Sequence, residues 1–166
     1  MSDEKITSAF RFRYNGIVDS LKTTVTIESN GQIMTVVALW DTGENCCAIS
    51  ENVAKNLPLI KSGETTIHTP AGAKRVSTYL IDKIHLPNDV IVPDVRVTDS
   101  DIGAQGIDLL IGMNIISLGD LLVSNNGCTV FSFRTPPKPI PDLVTGVSIN
   151  NLINRHGKKP YSKRHK

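Results

Sequence analysis

The chain is short of aromatic residues and cysteine and has no long apolar run, and each shortage removes a class of protein. Aromatics make up 5% of the 166 residues, so a core has to be assembled mainly from Val, Ile and Leu, which leans towards strands. No apolar stretch reaches the ~18 residues that a membrane span needs. The polar start, Met1-Ser2-Asp3-Glu4-Lys5, has no hydrophobic signal core behind it. Cys46, Cys47 and Cys128 form an odd set with an adjacent pair, which suits neither a disulfide framework nor a zinc site. They are expected to be small buried thiols in a reducing, cytoplasmic setting. No Walker loop, nucleophile elbow or dinucleotide fingerprint occurs. Asp94, Asp99, Asp101 and Asp108 lack EF-hand spacing and read as loop carboxylates and caps. His68 and His85 read as exposed strand histidines, so neither metal nor cofactor is expected.

Acid is missing from one end. The net charge is +2, but residues 155–166 hold six Lys/Arg and no acid, which leaves −4 for residues 1–154. That basic stretch is expected to be a solvated end. Contact with nucleic acid or an acidic partner is the weaker alternative.

What is present is a succession of short strand patterns broken by Gly, Pro and Asn. Phe10 to Tyr14 alternates like an edge strand, and Lys22 to Glu28 like a half-buried one. Ser29-Asn30-Gly31 marks a tight hairpin turn before the strand Ile33–Leu39. Ser50 is placed to cap a short helix that Pro58 stops. Strands follow at Glu64–His68, Arg75–Leu86 and Val90–Val97, and a loop is expected from Thr98 to Gly106. Asp108 to Gly112 is a short buried strand, Met113–Leu118 a brief helical turn, and Leu121–Phe133 a final hairpin turning at Asn125-Asn126-Gly127. The run Pro136-Pro137-Lys138-Pro139-Ile140-Pro141 should end the folded body. Leu143 to Ile153 is a candidate for a short docking arm. The class is all-β.

Asp41-Thr42-Gly43 follows the apolar strand Ile33–Trp40 and occurs once, with no Asp-Ser-Gly anywhere. The string Val37-Ala38-Leu39-Trp40-Asp41-Thr42-Gly43, followed later by Asp108-Leu109-Leu110-Ile111-Gly112-Met113-Asn114, resembles the two signatures of the retropepsins, the retroviral-type aspartic proteases. The resemblance covers roughly residues 20–134. It implies an all-β, retropepsin-like acid-protease half-barrel with a short helix after the second glycine motif. Residues 1–19 would be an arm or edge strand, and residues 135–166 a Pro-rich junction and basic tail.

Two carboxylates that share one proton can both accept a proton from water and give one to a peptide carbonyl. With one Asp-Thr-Gly per chain, the second carboxylate has to come from a second copy, so a twofold homodimer acting on peptide or protein substrates is implied. By the resemblance, Asp41 is the catalytic acid, Thr42 bonds across the dimer axis, and Gly43 admits a peptide backbone. Thr69-Pro70-Ala71-Gly72-Ala73 supplies the flap over the substrate, while Leu110, Ile111, Gly112 and Asn114 lie under the aspartate loop. Glu44 stands where the family usually has Ala or Ser; it either selects a basic side chain, raises the apparent pKa of the dyad, or points to solvent. Asn45 and Met113 replace a family Asp/Arg pair, both partners being absent together. These departures motivate the alternative of a weak or inactive dimer that binds extended peptides or acts as a scaffold. Trp40 is expected at the base of the active loop or against the dimer mate.

Overall fold

In the computed structural model the described residues are 8–69, 72–103 and 106–139. Ten strands and two short helices follow in the order β1 (Ser8–Arg13), β2 (Leu21–Ser29), β3 (Gln32–Trp40), β4 (Cys47–Ile49), α1 (Glu51–Asn56), β5 (Ile60–Thr69), β6 (Gly72–Leu86), β7 (Val90–Asp99), β8 (Leu109–Ile111), α2 (Met113–Ile116), β9 (Asp120–Ser124) and β10 (Val130–Thr135). The all-β expectation holds.

Asn30 and Gly31 adopt φ of 47° and 74°, the left-handed pair that a two-residue hairpin turn requires. They set β2 against β3 from Leu21↔Trp40 to Ser29↔Gln32. Seven strands form one sheet in the order β2-β3-β8-β4-β7-β6-β5, and a further pairing of β2 with β6 closes the first six into a small barrel. The closing seam is short: Thr26↔His85, Ile27↔Ile84 and Glu28↔Lys83. Inside lie fully buried aliphatics, among them Ile27, Ile49, Ile81, Ile84, Leu109 and Ile111.

β1, β10 and β9 make a separate three-stranded sheet. Its Phe10, Phe131 and Phe133 surround Trp40, with ring centroids 5.3–5.7 Å from the indole. Trp40 therefore packs inside its own chain, and its Nε1 donates to Thr23 Oγ1 at 2.9 Å. With Phe12 and Tyr14 beside Phe131, six of the eight aromatics of the sequence meet in this cluster, which joins the small sheet to the barrel.

Three expectations are corrected. β7 runs on to Asp99 rather than ending at Val97, because β4 pairs beside it in parallel, Cys47↔Val97 to Ile49↔Asp99. β5 begins at Ile60, not Glu64, since it pairs with β6 from Ile60↔Leu80 onward. Cys46 is only half-buried, unlike Cys47 and Cys128. The proposed arm, Leu143–Ile153, lies outside the described residues.

Candidate active site

β8 lies between β3 and β4, so the connection 41–46 from β3 to β4 has to cross the end of β8. That crossing joins the two sequence motifs. β3 and β8 run parallel with Trp40 opposite Ile111, and the Asp41 amide donates to the Ile111 carbonyl at 3.0 Å. The Met113 amide donates to Glu44 O at 2.7 Å and that of Asn114 to Asn45 O at 3.1 Å. The aspartate loop is thus tied to the β8–α2 junction at both ends.

Gly112 sits directly beneath this crossing. A Cβ there would stand 2.8 Å from the Glu44 carbonyl oxygen and 2.8 Å from the Cys46 carbonyl carbon. Real side chains do not tolerate such a contact, and this explains why glycine ends β8. Gly43 is similarly constrained: its amide donates to Asp41 Oδ1 at 2.8 Å, and a Cβ would lie 3.1 Å from the same oxygen. The Asp41 carboxylate, half-buried, is oriented by the glycine two residues along.

Asn114 adds a side-chain clamp. Its Oδ1 accepts from the Cys47 amide at 2.9 Å and from the Cys47 thiol at 3.0 Å, while its Nδ2 donates to Arg96 O at 3.2 Å. One amide side chain thereby holds α2, β4 and β7 together. Burial pushes the Cys47 thiol up to about 12, and burial also raises Cys46. Both remain protonated at neutral pH, which removes them as thiolate nucleophiles.

The first turn after the loop is fixed by Ser50. Its Oγ accepts from the Val53 amide at 3.3 Å as the N-cap of α1, and donates to Asp108 Oδ1 at 2.6 Å. The Asp108 amide in turn donates to Val37 O at 3.0 Å, so Asp108, just before β8, holds α1 through its carboxylate and β3 through its backbone.

The structure brings Asp41, Thr42, Gly43 and Glu44 together with Leu110, Ile111, Gly112 and Asn114. Ile111 is fully buried and Leu110 half-buried, whereas Thr42, Gly43 and Glu44 are exposed. Glu44 makes no side-chain hydrogen bond or ion pair among the described residues. The expected flap lies elsewhere in the chain, on the β5–β6 hairpin. β6 pairs with β7 only from Thr78 onward, so the pairs Glu64↔Ser77 to Thr69↔Gly72 project beyond the barrel wall. Ala73 is exposed on that projection, and Pro70 and Ala71 lie outside the described residues. A cavity of about 580 Å³ separates the hairpin from α1 and the end of β7, lined by Glu51, Glu64, Arg75, Asp99 and Asp101 among others, but not by Asp41. Cys47 was expected as a buried thiol, but β4, whose three residues carry too short a pattern to show a period, was not, nor was the hold of Asn114 on Cys47.

A family model described as "Aspartyl protease" matches residues 23–115, a span that holds both motifs. A retropepsin-like aspartic protease from Rickettsia conorii shares the fold, with a TM-score of 0.52 and 12% identity over 78% of this chain and 96% of that one. The foamy viral protease–reverse transcriptase, solved with an RNA/DNA hybrid, is 24% identical over 59% of this chain and 12% of that one, with a TM-score of 0.44. No curated protein matches. The chain belongs to the aspartyl protease family and has the retropepsin-like fold.

Proposed function

We propose that the protein is a homodimeric aspartic endopeptidase in which Asp41 and its symmetry mate activate water for attack on a peptide carbonyl. The observation that carries this reading is the anchoring of the aspartate loop. Asp41 N, Met113 N and Asn114 N fix the backbone on either side of the carboxylate, and Gly43 N orients Oδ1. A carboxylate held this firmly yet half-exposed, with no cation to neutralise it among the described residues, suits general acid–base work on an incoming substrate. One member of the dyad takes a proton from water as the oxygen attacks, while the other gives its proton to the carbonyl oxygen. No acyl-enzyme forms.

In this reading Thr42 bonds across the twofold axis and the exposed Gly43 lets the substrate backbone approach. The projecting hairpin around Thr69–Ala73 closes over the substrate, which binds extended like an added strand. Residues 20–134 form the catalytic unit. Glu44, exposed and unpaired, faces the bound peptide and favours a basic side chain in the adjoining subsite.

Cleavage of a peptide library by the wild type and by Asp41→Asn tests the proposal, with circular dichroism confirming that both are folded. Loss of cleavage by at least about a thousandfold is expected, in line with removal of an essential acid–base group. Equal cleavage by both would sink it. For Glu44, Glu44→Gln is expected to lower kcat/KM for peptides with Lys or Arg near the scissile bond more than for neutral ones; a uniform change would remove its subsite role.

A further inference from the structure

The three-stranded sheet turns one face into the core and the other away from it. Phe10, Phe131, Phe133 and Leu121 point inward. The opposite face carries two cross-strand rows, Ala9–Arg134–Asp120 and Arg11–Ser132–Leu122. With Pro87 as one wall, they line a groove of about 860 Å³. Leu122 is 50% exposed at its floor. The Arg11 guanidinium is exposed and has no partner among the described residues, whereas Arg134 is tied to Asp120.

The chain leaves β10 across this same face. The Lys138 amide donates to Asp120 Oδ2 at 2.9 Å, and Arg134 Nη2 donates to the Lys138 carbonyl at 3.1 Å. Both backbone polar groups of Lys138 are therefore held by side chains of the outer row, so the exit sits at the rim of the groove. The sequence after Pro139 has a matching chemistry. Residues 140–153 contain Ile140, Leu143, Val144, Val147, Ile149 and Leu152 with a single charge, the acid Asp142. Fully extended, these fourteen residues span about 45 Å, more than a three-stranded sheet is wide.

We propose that residues 140–153 of the same chain dock in this groove, with apolar side chains on Leu122 and Pro87 and Asp142 against Arg11. The tether at Lys138 makes the docking intramolecular, which raises the effective concentration of the arm into the millimolar range. Apolar area and one ion pair then suffice, where a free peptide of this length would bind poorly.

Backbone relaxation and methyl NOEs on the full-length, isotope-labelled protein test this. Amides of 143–153 are expected to show order parameters near 0.85, roughly those of rigid backbone, with NOEs from Leu143 or Val144 methyls to Leu122. Arg11→Glu should release the arm, taking those order parameters below about 0.6, and Asp142→Arg added to it should restore them. Order parameters below about 0.6 in the wild type would overturn the proposal. So would NOEs to Leu122 seen only between differently labelled copies, which would assign the arm to a second chain. An Arg11→Glu variant with an unchanged arm would remove the charge pairing on which the placement rests.

Discussion

Where the aspartate loop crosses β8, a single hydrogen atom on Gly112 separates it from two carbonyl groups. Gly112→Ala would put a methyl 2.8 Å from Glu44 O and from Cys46 C, and both belong to backbone that cannot swing aside as a side chain would. The loop 41–46 has to lift instead, which costs about 1–3 kcal/mol, as overpacking generally does. Urea denaturation should register that loss. Peptide cleavage should fall further than the unfolded fraction explains, since the displaced segment carries Asp41. Asn114 is the other test at this scale. Asn114→Leu leaves the Cys47 amide without its side-chain acceptor, an unmet buried donor costing about 1–3 kcal/mol. Asn114→Asp keeps that acceptor but turns a carboxylate oxygen towards Arg96 O, where Nδ2 now donates. Both variants are expected to lower the urea midpoint, and a midpoint unmoved in either would show that the amide clamp adds nothing to stability.

At the scale of elements, the barrel depends on a three-pair seam between β2 and β6. Across it Glu28 accepts from Lys83 Nζ at 2.9 Å and lies 2.8 Å from His85 Nε2. The Lys83 and His85 bonds hold the Glu28 carboxyl below its ordinary value, and Glu28 holds the Lys83 ammonium above its own. For a lowered carboxylate, the stabilisation is complete above the unfolded-state value, about 4.3 for glutamate, and disappears as pH falls through the folded one. The raised lysine has the opposite sense, with its share complete below about 10.4 and lost as pH rises beyond. The melting-temperature difference between wild type and Glu28→Gln should therefore close below pH ~4. A difference that persists in acid would place the effect of the substitution in packing rather than charge. The elements themselves were legible to different degrees. β2–β3 was plain because Asn30-Gly31 can supply both left-handed turn residues, and α1 because Ser50 precedes an apolar spacing. β4 was not, because a three-residue strand shows no period and exists only through its neighbours β7 and β8. The extra length of β5 and β7 was hidden for the same reason: pairing, not propensity, holds those residues extended.

For the whole molecule, the decisive quantity is the number of carboxylates that one chain can bring to the proposed active site. The motifs revealed Asp41 and its partner segment at Gly112 in sequence alone, since each is a local string with a fixed backbone task. The groove at the chain exit was not legible, because its cross-strand rows set β1 beside residues more than a hundred positions away, as Arg11 and Leu122 are. Nor does any sequence pattern specify how two copies meet. The proposed dyad makes that meeting measurable through activity. If each active site uses one Asp41 from each of two chains, a wild-type chain paired with an Asp41→Asn chain is inactive, because the asparagine neither takes nor gives the shared proton. Equal amounts of the two chains, exchanged to equilibrium, should then retain about one quarter of the activity of the same total of wild-type protein, the share of pairs with two aspartates. Independent sites would retain about one half. Dilution gives a second reading of the same property: specific activity should fall with chain concentration once dimers dissociate, in step with the mass seen by sedimentation equilibrium. Retention of one half, together with specific activity independent of concentration, would mean that a single chain carries the whole chemistry, and the shared-proton mechanism would fall with it.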